Sequence, residues 1–209
     1  MFLFRFASAR SGNAAVAVPN PVVDIHPNGA PQTDTAVLAG GCFWGVQAVY
    51  QHVKGVKNVV SGYAGGTATS PTYGLVSTGM TGHAESVQIV YDPTQVSYGT
   101  LLRIFFSVAH DPTMLNRQGP DRGTQYRSAI FFRSAEQQKV AESYVAQLAA
   151  SHVFADSIVT QIAALPAFWA AEDYHQNYFA THPYSPYIMI NDAPKVRALE
   201  KTMPALWRE

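Results

Sequence analysis

Cys42 is the single cysteine of the 209 residues, and it stands in Gly40-Gly41-Cys42-Phe43-Trp44-Gly45. One thiol can form neither an internal disulfide nor a multi-cysteine metal site. It is either a small apolar filler or a reactive nucleophile, and its position favours the nucleophile. Thr35 to Ala39 reads as a short buried strand broken by two glycines. Beyond the break Val46, Val49, Tyr50 and Val53 recur at the spacing of one helix face. Cys42 therefore falls in a strand-to-helix turn, where N–H groups at the helix start stabilise a thiolate, the reactive form. Phe43 and Trp44 beside it read as the wall of a small apolar pocket.

A carboxyl group follows in Gly82-His83-Ala84-Glu85-Ser86-Val87-Gln88-Ile89-Val90-Tyr91. As a strand, this segment points Glu85 the same way as Val87, Ile89 and Tyr91. Burial on that apolar face raises a carboxyl pKa, and an acid still protonated near neutrality can donate its proton. The alternative is a Glu85 at the strand end, exposed or salt-bridged. Gly123-Thr124-Gln125-Tyr126-Arg127, preceded by Asp121, and Pro71-Thr72-Tyr73 add hydroxyl groups able to hold a substrate oxygen without adding charge. Each tyrosine taken alone reads as packing rather than catalysis. His83, His110 and His175 are candidate bases for a Cys–His hydrolase. Glu172-x-x-His175 has the spacing of half a carboxylate metal site but no second copy, and reads as an ordinary helix face.

The elements that must position these groups alternate along the chain. Val56 to Ala64, Ala84 to Tyr91, Ser128 to Phe132 and Ser157 to Ala163 read as strands. Tyr98 to His110 and Ala170 to Ala180 read as helices, the latter the last of the chain. Ser134 opens a further helix to about Ala150, with Gln137 at the capping-box position. The pattern is that of one α/β or α+β domain, residues 35–209, with a mostly antiparallel sheet flanked by helices.

Composition excludes several function classes. Hydrophobic residues make up 47% and charged residues 13%, and fourteen basic residues balance fourteen acidic ones. No Lys/Arg run invites nucleic acid or an anionic membrane, and no apolar stretch is long enough to cross a bilayer. Residues 1–34 are rich in Ala, Pro, Asn and Val and read as an extended or disordered arm. Met1 to Phe6 is too short for the apolar core of a secretory signal. The lack of disulfide pairs favours a reducing, cytoplasmic setting.

Six blocks in order carry a resemblance: Gly41-Cys42-Phe43-Trp44-Gly45, Gly62-Tyr63-Ala64-Gly65-Gly66, Pro71-Thr72-Tyr73, Gly82-His83-Ala84-Glu85, His110-Asp111-Pro112 and Gly123-Thr124-Gln125-Tyr126-Arg127-Ser128. Together they resemble the A-type peptide methionine sulfoxide reductases across most of residues 35–190. The resemblance implies a two-layer α/β plait and reduction of the S epimer of methionine sulfoxide, free or in proteins. It implies Cys42 as nucleophile, Glu85 as the acid that protonates the sulfoxide oxygen, and Tyr73 and Tyr126 as hydroxyls holding that oxygen. Asp121 matches a supporting polar residue, and Phe43 and Trp44 match the pocket for the substrate methyl group. No metal, flavin or nucleotide is implied, and a monomer is expected.

Many members of that family carry further cysteines that attack the oxidised nucleophile. This chain has none, so an outside thiol is expected: a small-molecule thiol, glutaredoxin or thioredoxin. Two other readings stay open, a cysteine hydrolase with a histidine base and a non-catalytic module that binds oxidised methionine.

Overall fold

The computed structural model describes residues 15–25, 33–67 and 69–209. Its centre is a six-stranded sheet in the order β7-β6-β1-β3-β2-β8. The strands are β1 (Asp34–Gly40), β2 (Val56–Ala64), β3 (Ala84–Tyr91), β6 (Ser128–Phe132), β7 (Gln161–Ala164) and β8 (Phe168–Ala170), with a separate ribbon of β4 (Arg117–Gln118) and β5 (Asp121–Arg122). Every pair in the main sheet is antiparallel except β6 with β7. The period-two pattern decides which face each side chain takes. Leu38, Val87, Ile89, Tyr91, Tyr63 and Ile130 share one core with the helices. Val37, Ala39, Ala64, Ala84, Ala129 and Phe131 line the opposite face under Leu165 and Phe168. Glu85 belongs to the odd-numbered row of β3, so it faces the helices.

Helix α1 (Phe43–Gln51) follows β1 directly and is buried from Phe43 to Tyr50 except for Trp44. Beyond the four-residue α2 (Tyr73–Val76) lies α3 (Tyr98–Ile104), which continues as one π turn, Phe105–Ala109, until His110 turns extended. Ser134 caps α4 (Ala135–Ser151) by accepting the Gln137 N–H at 3.2 Å. Gln137 itself accepts from the Arg133 N–H at 3.0 Å and donates to the Thr35 carbonyl at 2.9 Å, tying the helix start to β1. After the short α5 (Tyr178–Thr181) comes α6 (Ala193–Thr202), which the sequence patterning did not single out despite Pro194 at its start.

Two expectations require correction. The strand expected from Ser157 begins only at Gln161. The helix expected over Ala170–Ala180 does not form. Its residues are divided among the end of β8, a 3-10 turn at Asp173–His175 and α5. The cause is side-chain capture of the backbone. Gln176 donates to the Ser61 and Ala171 carbonyls at 2.9 and 3.0 Å and accepts the Ser61 N–H at 2.9 Å. The buried Gln47 donates to the Val59 carbonyl at 3.0 Å and accepts the Asn177 N–H at 2.9 Å. These amides satisfy backbone groups that a helix would otherwise pair.

Residues 15–25 run extended beside α3 and α4. Val16 N–H donates to the Ser107 carbonyl at 2.9 Å, and Tyr144 OH donates to the Pro19 carbonyl at 2.7 Å. Asp24 accepts the Gly99 N–H at 2.7 Å and the Ser97 OH at 2.5 Å. Residues 1–14 and 26–32, the rest of the expected arm with the Met1–Phe6 segment, lie outside the described residues.

The contact of β2 with β8 is tight at Gly62. A Cβ there would stand 2.3 Å from the Trp169 carbonyl oxygen and 2.4 Å from the Phe168 ring. Gly62→Ala should therefore lift β8 and cost about 1–3 kcal/mol. Urea denaturation checks this, with the expected result a lower midpoint at unchanged slope.

Candidate active site

Gly41 makes the turn into α1. Its φ of +89° suits glycine, and a Cβ would stand 2.5 Å from the Gln118 side chain. Cys42 follows as the buried N-cap residue of α1. Its side chain makes no cap hydrogen bond. The helix N-terminus was expected to hold a thiolate, but the balance of forces is the reverse. Burial pushes the thiol pKa well up, and the carboxyls of Glu85 and Asp192 push the same way. The Trp44 N–H and the Lys195 ammonium pull it down without winning. Cys42 therefore rests as a thiol. The first-turn N–H groups favour the thiolate, but desolvation costs it more.

Glu85 is 3% exposed and its Oε2 accepts the Phe43 N–H at 3.1 Å. This places its carboxyl at the first residue after Cys42. Burial pushes its pKa up to about 8, against the pull of that N–H, with Asp121 and Asp192 adding to the rise. Glu85 is thus a protonated acid at neutral pH. The thiol titrates above that range, where Glu85 is ionised, so the Glu85 charge adds to burial, the first cause of the raised thiol pKa.

The aromatic wall is built from distant segments. The Phe43 ring lies 5.9 Å from Tyr63 and 5.1 Å from His175. Trp44 stacks on Tyr178 at 3.8 Å and meets Tyr187 edge-on at 5.8 Å. Trp44 Nε1–H donates to His175 Nδ1 at 3.2 Å, which leaves the His175 proton on Nε2. His175 is buried, its pKa lowered by burial, and its Nε2 has no hydrogen-bond partner among the described residues. Its ring also lies 4.4 Å from Tyr73. Glu172 fixes Tyr73 by accepting its backbone N–H at 2.8 Å, and it accepts the Tyr63 OH at 2.8 Å. Glu172 and His175 therefore tie together the aromatic residues Phe43, Trp44, Tyr63 and Tyr73, and are not an ordinary helix face. The i, i+3 spacing drew attention to them, but only the β8 connection shows where they go.

Tyr73 on α2 and Tyr126 at the end of the 3-10 turn Thr124–Tyr126 are half-buried. Both phenols are raised, by burial first and then by the negative charge of Glu85, and a contribution from Cys42 places both near the thiol. They remain neutral O–H donors. Asp121 accepts a short hydrogen bond from Tyr187 OH, and burial raises its pKa. The sequence reading missed Tyr187, Asp192 and Lys195. They come from the C-terminal segment. Tyr187 and Lys195, together with Gln118, Asp121 and Asn191, line a cleft that opens onto Cys42, and Asp192 is fully buried beside Lys195. Lys195 Nζ donates to Asp192 Oδ1 at 3.2 Å, and the pair is buried.

No described histidine hydrogen-bonds to Cys42. His110 is stacked on Phe105 at 3.9 Å, with Nδ1 at the Phe105 carbonyl and Nε2 at Ser128 Oγ. Burial lowers its pKa to about 4. The Cys–His arrangement of a hydrolase is absent among the described residues, and so is any cluster able to hold a metal ion.

The buried acid makes stability depend on pH. A folded pKa near 8 against 4.5 unfolded means that the folded state holds the proton more tightly. The Glu85 contribution is thus fully present below pH 4.5 and is lost as pH rises through 8. Unfolding free energies of the wild type should fall relative to Glu85→Gln over that window, by at most about 1.4 kcal/mol per pH unit. Parallel curves for the two proteins would remove the shifted acid.

Residues 34–206 match the protein family described as peptide methionine sulfoxide reductase. The chain is 54% identical over 182 residues to the peptide methionine sulfoxide reductase MsrA 2 of a Synechocystis strain, covering 86% of this chain and 85% of that one. It is 50% identical over 173 residues to the MsrA of Deinococcus radiodurans, covering 83% of each. Among solved structures, methionine sulfoxide reductase A of Corynebacterium diphtheriae superposes with a TM-score of 0.64 at 36% identity, over 84% of this chain and 92% of that one. Reduced Mxr1 of Saccharomyces cerevisiae superposes with a TM-score of 0.67 at 33% identity, over 74% and 88%. With residues 34–206 matched and relatives half identical over most of both chains, the chain belongs to the peptide methionine sulfoxide reductase family.

Proposed function

We propose that this protein reduces the S epimer of methionine sulfoxide, free or within proteins, with Cys42 as nucleophile and Glu85 as acid. One observation carries the reading: a protonated carboxyl held at the first N–H of the helix that Cys42 caps. A sulfoxide oxygen is a poor leaving group until it is protonated, and a neutral buried acid supplies that proton without a pH change.

In the first half-reaction Phe43 and Trp44 take the substrate methyl group, and the Tyr73 and Tyr126 hydroxyls donate to the sulfoxide oxygen. Asp121 supports the polar side of the site. Cys42 Sγ attacks the sulfoxide sulfur while Glu85 gives its proton to the oxygen, and the thiol proton of Cys42 restores Glu85. The substrate S–O bond breaks and the oxygen ends on Cys42 Sγ as a sulfenic acid. The substrate sulfur gains two electrons, Cys42 loses two, and methionine leaves.

The second half-reaction needs thiols from another molecule, since Cys42 is the only cysteine of these 209 residues. One thiol forms a mixed disulfide with Cys42 and releases water, and a second frees Cys42. A small thiol, glutaredoxin or thioredoxin satisfies this chemistry, and each fits action in a reducing cytoplasm. No resident cofactor enters the scheme, and the enzyme acts as a monomer.

The test is turnover of the two enantiomers of a methyl aryl sulfoxide with excess dithiothreitol. The S form should be consumed and the R form left, and Cys42→Ser should abolish consumption while retaining the fold. Glu85→Gln should keep KM near the wild-type value and lower kcat by about 10²-fold or more. Unchanged kcat in Glu85→Gln, or an active Cys42→Ser enzyme, contradicts the assigned roles.

A further inference from the structure

The cleft beside Cys42 has a polar wall of which the proposed reduction step uses only Asp121. Cys42, Gln118, Asp121, Tyr187, Asn191 and Lys195 line it, while Glu85, Phe43 and Trp44 do not. Lys195 and Asp192 are nearly sealed from solvent, with side-chain exposures of 8% and 0%. A buried ion pair is costly to maintain and weak evidence for stability alone. This one is also incompletely satisfied, because Asp192 Oδ2 has no hydrogen-bond partner among the described residues.

The pair is pressed against the first turn of α1. A Cβ at Gly45 would stand 2.0 Å from Asp192 Oδ1 and 3.1 Å from Lys195 Nζ. The glycine three residues after Cys42 thus makes room for a carboxylate and an ammonium at the helix start. Pro194 sits at the beginning of α6, and Val196, Leu199 and Met203 anchor that helix in the core. The ammonium is therefore delivered by a packed helix, not by a loop.

We propose that Lys195, held in place by Asp192, is the positioning residue that stabilises the Cys42 thiolate, above all when that thiolate departs from a mixed disulfide. The inference rests on the reading of Cys42 as the redox nucleophile. In the regenerating step a thiolate from a second thiol attacks the outer sulfur of the mixed disulfide. The disulfide bond to Cys42 breaks, the two outer sulfurs join, and Cys42 leaves with the electron pair as a thiolate. A leaving thiolate of raised pKa departs slowly, and a neighbouring ammonium offsets that penalty by direct attraction.

The other groups facing Cys42 cannot take this part. Glu85 on β3 and Asp192 oppose a negative charge when ionised, and Asp121 on β5 carries the same sign. Tyr73, Tyr126 and Tyr187 are neutral phenols with raised pKa values. The Trp44 N–H at the helix start helps, and Lys195 is the cation that acts with it.

The test is the pH profile of Cys42 alkylation by iodoacetamide, which needs no sulfoxide and so stands apart from the test of turnover. Lys195→Met should raise the apparent thiol pKa by about one unit or more and slow alkylation at pH 8 about tenfold. Asp192→Asn keeps an oxygen for Lys195 but removes the opposing charge, so it should move the pKa down. Loss of packing would not give opposite signs. If Lys195→Met does not fold, Lys195→Gln is measured in its place, and an unmoved alkylation profile in that variant overturns the role. Unmoved profiles, or shifts of both variants in the same direction, overturn the role of Lys195.

Discussion

The hydrogen bond from the Phe43 N–H to Glu85 is the constraint on which the site depends. It joins the middle strand region of the sheet to the first turn of α1, and it does so with a carboxyl that water does not reach. Burial keeps that carboxyl protonated, so the group that stabilises the helix start is also a proton donor. The same burial raises the Cys42 thiol. The two groups thus rest with a proton each, and the proposed reaction has them exchange protons through the substrate oxygen.

The rest of the fold serves that arrangement. β1 delivers Cys42 and β3 delivers Glu85 on the face that α1 covers. The connection after β8 brings Glu172 to Tyr63 and Tyr73 and His175 to Trp44, and Gln47 and Gln176 hold that connection in place. The π turn after α3 ends at His110, which is spent on packing and on Ser128. The C-terminal segment adds Tyr187, Asn191 and Lys195 to the polar cleft at Cys42.

Much of this was legible in the chain because it follows local rules. The strand period put Glu85 in the row of Val87 and Ile89, and the glycines with the valine stripe put Cys42 at a helix start. The resting state of Cys42 was not legible, because helix N–H groups are local while desolvation depends on everything packed above. The Ala170–Ala180 segment failed for a related reason. Its helical spacing is real, but amides from Gln47 and Gln176, the first more than 120 residues away in sequence, take its backbone groups. Asp192 and Lys195 gave no motif at all. They matter only because Gly45 leaves room for them.

The central claim is that Cys42 takes the oxygen atom from a methionine sulfoxide. It is tested most directly by incubating the reduced protein with a methionine sulfoxide peptide and no reductant, then measuring the intact mass and the released methionine peptide. The account predicts one added oxygen, located on Cys42, and one equivalent of reduced peptide per protein. A protein of unchanged mass that holds the peptide without reducing it would contradict the account.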